Sequence, residues 1–215
     1  MTPEDASQQA RELCALAPVI PVLVVEDAET AAPLARALVA GGLPALEVTL
    51  RTPAALEAIR RMAEVPGGVV GAGTLLTPAD VRAAVAAGAT FGVSPGVTEA
   101  LLEACEEAEL PLLGGVATAS EAMRLLDRGY TVAKFFPAEA HGGAPALKAF
   151  AGPLPQMAFC PTGGVTPANA PAYLVLPNVL CVGGSWVADK ALVQAGRWDA
   201  IESLAREAAA LGAAP

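Results

Sequence analysis

The chain has 215 residues, 54% of them hydrophobic and 16% charged, which suits one domain with a full core and excludes an intrinsically disordered chain. A formal net charge of −9 argues against a nucleic-acid surface, although a small anionic substrate can still meet a local positive site. The longest apolar run, Cys14 to Val25, is too short to span a bilayer, and Met1-Thr2-Pro3-Glu4-Asp5 lacks the basic segment of a secretory signal, so a cytoplasmic protein is expected.

A helix is expected from Glu4 to Leu16. Short β-like runs then alternate with amphipathic helical runs. The strands read as Val19–Val25, Ala45–Leu50, Val69–Gly73, Phe91–Ser94, Pro111–Gly115, Thr131–Phe136, Met157–Pro161 and Val179–Val182. Helices fall at Ala28–Ala40, Pro53–Glu64, Pro78–Ala87, Thr98–Glu107 and Ser120–Asp127. Pro53 and Pro78 suit a first helical turn, and Gly41, Gly88 and Gly129 suit helix ends. Strand starts recur roughly every 20 to 26 residues, the period of a βα unit. Eight such units predict an α/β fold, a closed (β/α)8 TIM barrel, as a single domain over residues 1–215 with the extra N-terminal helix covering its bottom. An open doubly wound sheet would want a glycine-rich turn after the first strand, and Val24-Val25-Glu26-Asp27 is not one.

In such a barrel, catalytic groups lie at the carboxyl ends of the strands. The sixth strand, Thr131-Val132-Ala133-Lys134-Phe135-Phe136-Pro137, holds a lysine in an apolar run. An unpaired buried ammonium is costly, and a neutral amine is a nucleophile that forms imines with carbonyls. Lys148 and Lys190, the other two lysines, sit in ordinary helix contexts. In the second strand, alternation sends Leu46, Val48 and Leu50 to the helix layer and Glu47, Thr49 and Arg51 into the barrel mouth. Gly71-Ala72-Gly73-Thr74 ends the third strand with small residues and a hydroxyl. Pro161-Thr162-Gly163-Gly164 and Gly183-Gly184-Ser185-Trp186 end the seventh and eighth, where paired glycines offer N–H groups to a phosphate. Cys14, Cys105, Cys160 and Cys181 form no CxxC pair and read as reduced core thiols. A single histidine, His141, argues against a His-ligated metal or a Ser-His-Asp triad.

These motifs, with Ser94-Pro95-Gly96 and Lys134-Phe135-Phe136-Pro137-Ala138-Glu139, resemble the 2-keto-3-deoxy-6-phosphogluconate (KDPG) and 4-hydroxy-2-oxoglutarate aldolases from about Pro18 to the final helix. The resemblance implies a class I aldolase, a cytoplasmic homotrimeric lyase of the Entner–Doudoroff pathway that uses a covalent imine and no metal or other cofactor. Its partners would be a small 2-keto acid and a phosphosugar, with no nucleic acid and no membrane. It makes Lys134 the imine lysine and Glu47 the general acid/base. Arg51 and Thr74 become carboxylate ligands, Pro95 and Phe136 the pyruvate pocket, and Thr162 a contact to the distal substrate. Gly163, Gly164, Gly184 and Ser185 become the phosphate site. Ala117 and His141 depart from the family pattern at the rim. Alternatives from the residues alone are specificity for the C4 epimer, 2-keto-3-deoxy-6-phosphogalactonate, and a barrel that binds a sugar phosphate without turnover. A metal-dependent aldolase would lack its histidine ligands.

Overall fold

The structure, a computed structural model, describes residues 1–212; the last three residues of the expected domain lie outside the described residues. Helix α1 (Pro3–Cys14) comes first, opened by a reciprocal cap between Thr2 and Asp5. Then follow β1 (Val19–Leu23), α2 (Ala31–Ala40), β2 (Ala45–Thr49), α3 (Ala55–Ala63), β3 (Val69–Gly73), α4 (Pro78–Ala86) and β4 (Phe91–Val93). Next come α5 (Glu99–Glu107), β5 (Leu112–Leu113), β6 (Gly115–Val116), α6 (Ala119–Arg128), β7 (Val132–Phe135), α7 (Gly143–Phe150) and β8 (Ala158–Pro161). The chain closes with α8 (Ala170–Leu174), β9 (Val182–Gly184), α9 (Lys190–Gln194) and α10 (Trp198–Ala209). Caps built from Thr77 with Asp80 and from Thr118 with Glu121 start α4 and α6, and Gly129, at φ 102°, ends α6.

All strand pairings are parallel. Six strands run in the order β5-β4-β3-β2-β1-β9 and three in the order β6-β7-β8. The ladders adjoin at the fifth strand position, where Gly114 separates β5 from β6, and meet again through bridges from Phe159 to Val179 and from Thr162 to Gly183. The result is an α/β fold with a curled parallel sheet. Two strands differ from expectation. The fifth is split because the loop after β4 lies against it: a side chain at Gly114 would meet Val97, and one at Gly115 would meet the Pro95 carbonyl. The eighth begins at Val182 rather than Val179 and runs through the two glycines, which stay extended because Thr162 and Trp186 pack where their side chains would be.

Period-two alternation divides the core into two compartments. Leu46, Val48, Val70, Ala72 and Phe135 join the helix residues Leu38, Ile59, Met62 and Val81 in the outer layer. Inside the sheet, Ile20, Ala45, Phe91, Val93, Val132, Cys160 and Cys181 form a separate cluster sealed by Ala10, Leu13 and Cys14 of α1. The sheet is therefore filled at its amino-terminal end, and open space lies where the strands finish.

Candidate active site

Lys134 lies on β7 and Glu47 on β2, 5% and 3% exposed. Their Nζ and Oε1 atoms are 3.2 Å apart, so the buried amine is paired with the carboxylate that alternation sends to the same face. Gly73 makes that pair possible, since a side chain there would strike the Glu47 carboxylate. Burial pushes the Glu47 carboxyl above its ordinary range, while the charge and hydrogen bond of Lys134 pull it down. A carboxyl held up in this way exchanges protons closer to neutral pH than an exposed glutamate. The Lys134 ammonium also stands 5.2 Å from the ring centre of Phe136, the next residue on the same strand face.

Above the pair is a cavity of about 200 Å³. Eight of the residues singled out in the sequence line it: Arg51, Lys134, Phe136, Thr162, Gly163, Gly164, Gly184 and Ser185. Three stand just outside it. Glu47 touches it through Lys134. Thr74 accepts a hydrogen bond from Arg51 Nε at 3.2 Å. Pro95 meets β6 through its carbonyl, and its ring does not line the cavity. Thr74 sits at φ 64°, a left-handed conformation that a β-branched residue adopts only at a cost. That strain turns its hydroxyl toward Arg51. Gly183, Val22, Val24 and Val165 complete the wall; sequence reasoning missed the valines, although the inward alternation that begins in β1 marks Val22 and Val24.

The loop after β8 is held from behind. The Thr162 and Gly163 carbonyls accept from the Ala138 and Glu139 N–H groups at 2.8 and 3.1 Å, and the Gly164 carbonyl accepts from Asn169 Nδ2 at 3.0 Å. Gly163 and Gly164 take φ values of 100° and 78°. Among the described residues, the N–H groups of Gly164 and Ser185 find no protein acceptor. Gly184 carries a second requirement that the sequence did not reveal: its missing side chain leaves room for the Trp186 ring. Ala117 donates its N–H to Glu121 at 2.8 Å, and His141 Nδ1 lies 3.1 Å from the Pro137 carbonyl; neither lines the cavity. The described residues contain no group of three or more His, Cys, Asp or Glu placed to hold a metal ion, and no helix long and apolar enough to cross a membrane.

Residues 10–204 match the aldolase family described as KDPG and KHG aldolase. The 2-dehydro-3-deoxy-phosphogluconate aldolase of Pseudoalteromonas atlantica is 53% identical over 90% of this chain and 90% of its own length. The KHG/KDPG aldolase of Escherichia coli K12 is 52% identical over 93% and 94%. The KDPG aldolase of Legionella pneumophila, solved with pyruvate captured as a covalent carbinolamine, superposes with a TM-score of 0.90 at 48% identity, covering 93% of this chain and 97% of that one. The chain thus belongs to the KDPG and KHG aldolase family.

Proposed function

We propose that the chain is a class I aldolase that cleaves KDPG to pyruvate and D-glyceraldehyde 3-phosphate, and also 4-hydroxy-2-oxoglutarate to pyruvate and glyoxylate. The observation that carries this reading is the buried Lys134–Glu47 pair, 3.2 Å apart, whose lysine lines the same cavity as the glycine loops. A mere sugar-phosphate binder has no use for a buried amine paired with a carboxyl of raised pKa. Lys134 attacks the 2-keto carbon to give a carbinolamine, and Glu47 supplies the proton with which water leaves. Glu47 then takes the proton of the C4 hydroxyl. The C3–C4 electron pair flows into the iminium, and the aldehyde departs. Protonation of the enamine at C3 and hydrolysis return pyruvate and the free amine.

Arg51 and Thr74 hold the substrate carboxylate, Arg51 as a planar donor fork. Phe136 flanks the pyruvate end, which Pro95 backs from outside the cavity wall, and Thr162 meets the C4 hydroxyl, which favours KDPG over its epimer. Gly163, Gly164, Gly184 and Ser185 hold the phosphate, with the unmatched N–H groups of Gly164 and Ser185 as its donors. In this reading the two ladders close as one eight-stranded barrel, and the enzyme is a cytoplasmic homotrimer whose imine chemistry uses no metal. The test is incubation with pyruvate and borohydride followed by peptide mapping, beside a coupled pyruvate assay on KDPG and its C4 epimer. One reduced adduct on Lys134 and faster release from KDPG are expected. An adduct on Lys148 or Lys190, or none, removes the imine mechanism; faster release from the epimer reverses the specificity.

A further inference from the structure

Glu139 belongs to neither the cavity wall nor the reacting pair, yet three segments converge on it. Its N–H holds the Gly163 carbonyl at 3.1 Å, and its Cβ and Cγ lie behind Gly164, in the space that a side chain there would need. Its carboxylate accepts a hydrogen bond from the hydroxyl of Tyr173 on α8, whose side chain is buried in the outer core. At Gly143, the first residue of α7, a side chain would lie 3.3 Å from both the Glu139 carboxylate and the Tyr173 hydroxyl. Glu139 thereby ties the loop after β7 to α8 through its carboxylate and backs the loop after β8 through its Cβ, Cγ and N–H.

The geometry points to the Glu139–Tyr173 hydrogen bond as a latch that fixes the Thr162–Val165 loop in its anion-binding shape. The reason is conformational. Two successive glycines at positive φ have many alternatives, and they keep one only when their carbonyls are pinned. With the carbonyls of Thr162, Gly163 and Gly164 tied back, the Gly164 N–H is left for a ligand, as in backbone anion nests. Glu139 and Tyr173 are then positioning residues for the phosphorylated end of the substrate and leave the chemistry at Lys134 alone. This inference rests on the reading that Gly164 and Ser185 receive the phosphate.

The experiment compares Tyr173→Phe, which removes the donor, and Glu139→Ala, which removes the acceptor at an exposed residue, with Glu139→Gln, which still accepts a hydrogen bond. Steady-state constants are measured on KDPG and on 4-hydroxy-2-oxoglutarate. The two breaking variants are expected to raise KM for KDPG roughly five- to tenfold, as loss of a hydrogen bond to a charged group allows, with kcat little changed. Kinetics on the unphosphorylated substrate should stay put, and Glu139→Gln should recover most of the loss. An unchanged KM for KDPG in both breaking variants overturns the latch, as does an equal loss on the two substrates, which marks general loosening. Competition by inorganic phosphate against KDPG in the native enzyme separates the two readings. Competition with an unmoved KM overturns the latch alone, whereas no competition removes the phosphate site and the latch together.

Discussion

The two ends of the curled sheet are built by the same strands, two residues apart, and they are opposites. Toward the amino ends, Ala45, Val132, Cys160 and Cys181 close around Phe91 and are capped by α1. Two positions further on, the same faces carry Glu47, Lys134, Thr162 and Gly183, and a cavity opens. The lower end tolerates only what packs. The upper end keeps a buried ion pair, a strained threonine and two backbone N–H groups, of Gly164 and Ser185, that meet no protein acceptor among the described residues. An ion pair of this kind is seldom held for stability, because desolvation offsets most of the attraction. The contrast teaches that the lower layer supplies the fold's cohesion, against which the upper layer's strain and buried charge are held.

The sharpest way to break this contrast is Lys134→Met. Turnover and borohydride trapping should fall to background. The double variant Lys134→Met with Glu47→Leu should be inactive yet more stable than the native chain by about 1–4 kcal/mol in urea unfolding. A double variant less stable than the native chain would mean that the pair holds the curled sheet together. Next in size, Glu47→Gln should lower turnover by about 10² to 10⁴, the usual worth of a general acid/base. The same variant tests the electrostatics. Because burial raises the folded-state pKa of Glu47, the folded protein binds its proton more tightly than the unfolded chain. Glu47 therefore costs nothing below the unfolded carboxyl pKa of about 4.3, and stability drains away as pH climbs through the raised value. Urea midpoints of the native chain should show this decline relative to Glu47→Gln; a relative rise over that range would put the pull of Lys134 ahead of burial.

Thr74→Gly relieves the left-handed strain, so stability should hold or rise by about 1 kcal/mol. KM for pyruvate in the trapping reaction should meanwhile climb roughly tenfold through loss of a hydrogen bond to carboxylate. An unchanged KM would remove Thr74 from the ligand set. The smallest effect belongs to the lower end. Cys14→Ala should cost about 1–2 kcal/mol of stability and leave the kinetics alone. A kinetic effect there would show that the two ends communicate.

Much of this was legible in the chain. Lys134 stood out because an apolar strand has no other use for an ammonium, and Glu47 because alternation forced it inward. What stayed hidden required neighbours distant in sequence. The break at Gly114 depends on Pro95 and Val97, and the extended path through Gly183 depends on Thr162. No local pattern predicts that Thr74 adopts a positive φ. The cysteines read as core thiols, and Cys14, Cys160 and Cys181 lie buried and free in one cluster inside the sheet. Their meeting brings together α1, β8 and the residue before β9, a convergence that sequence spacing does not reveal.

The ring of Trp186 against Gly184 gives the molecule an optical handle. Only two tryptophans are present, and Trp186 follows Ser185 directly, over the backbone that faces the cavity. An indole's emission shifts when charge or solvent beside it changes. Trp198→Phe would leave Trp186 as a single built-in reporter. A titration could then read occupancy of the glycine loops by light alone, with no label, no coupling enzyme and no turnover, and could time the arrival of a ligand separately from the breaking of its carbon–carbon bond.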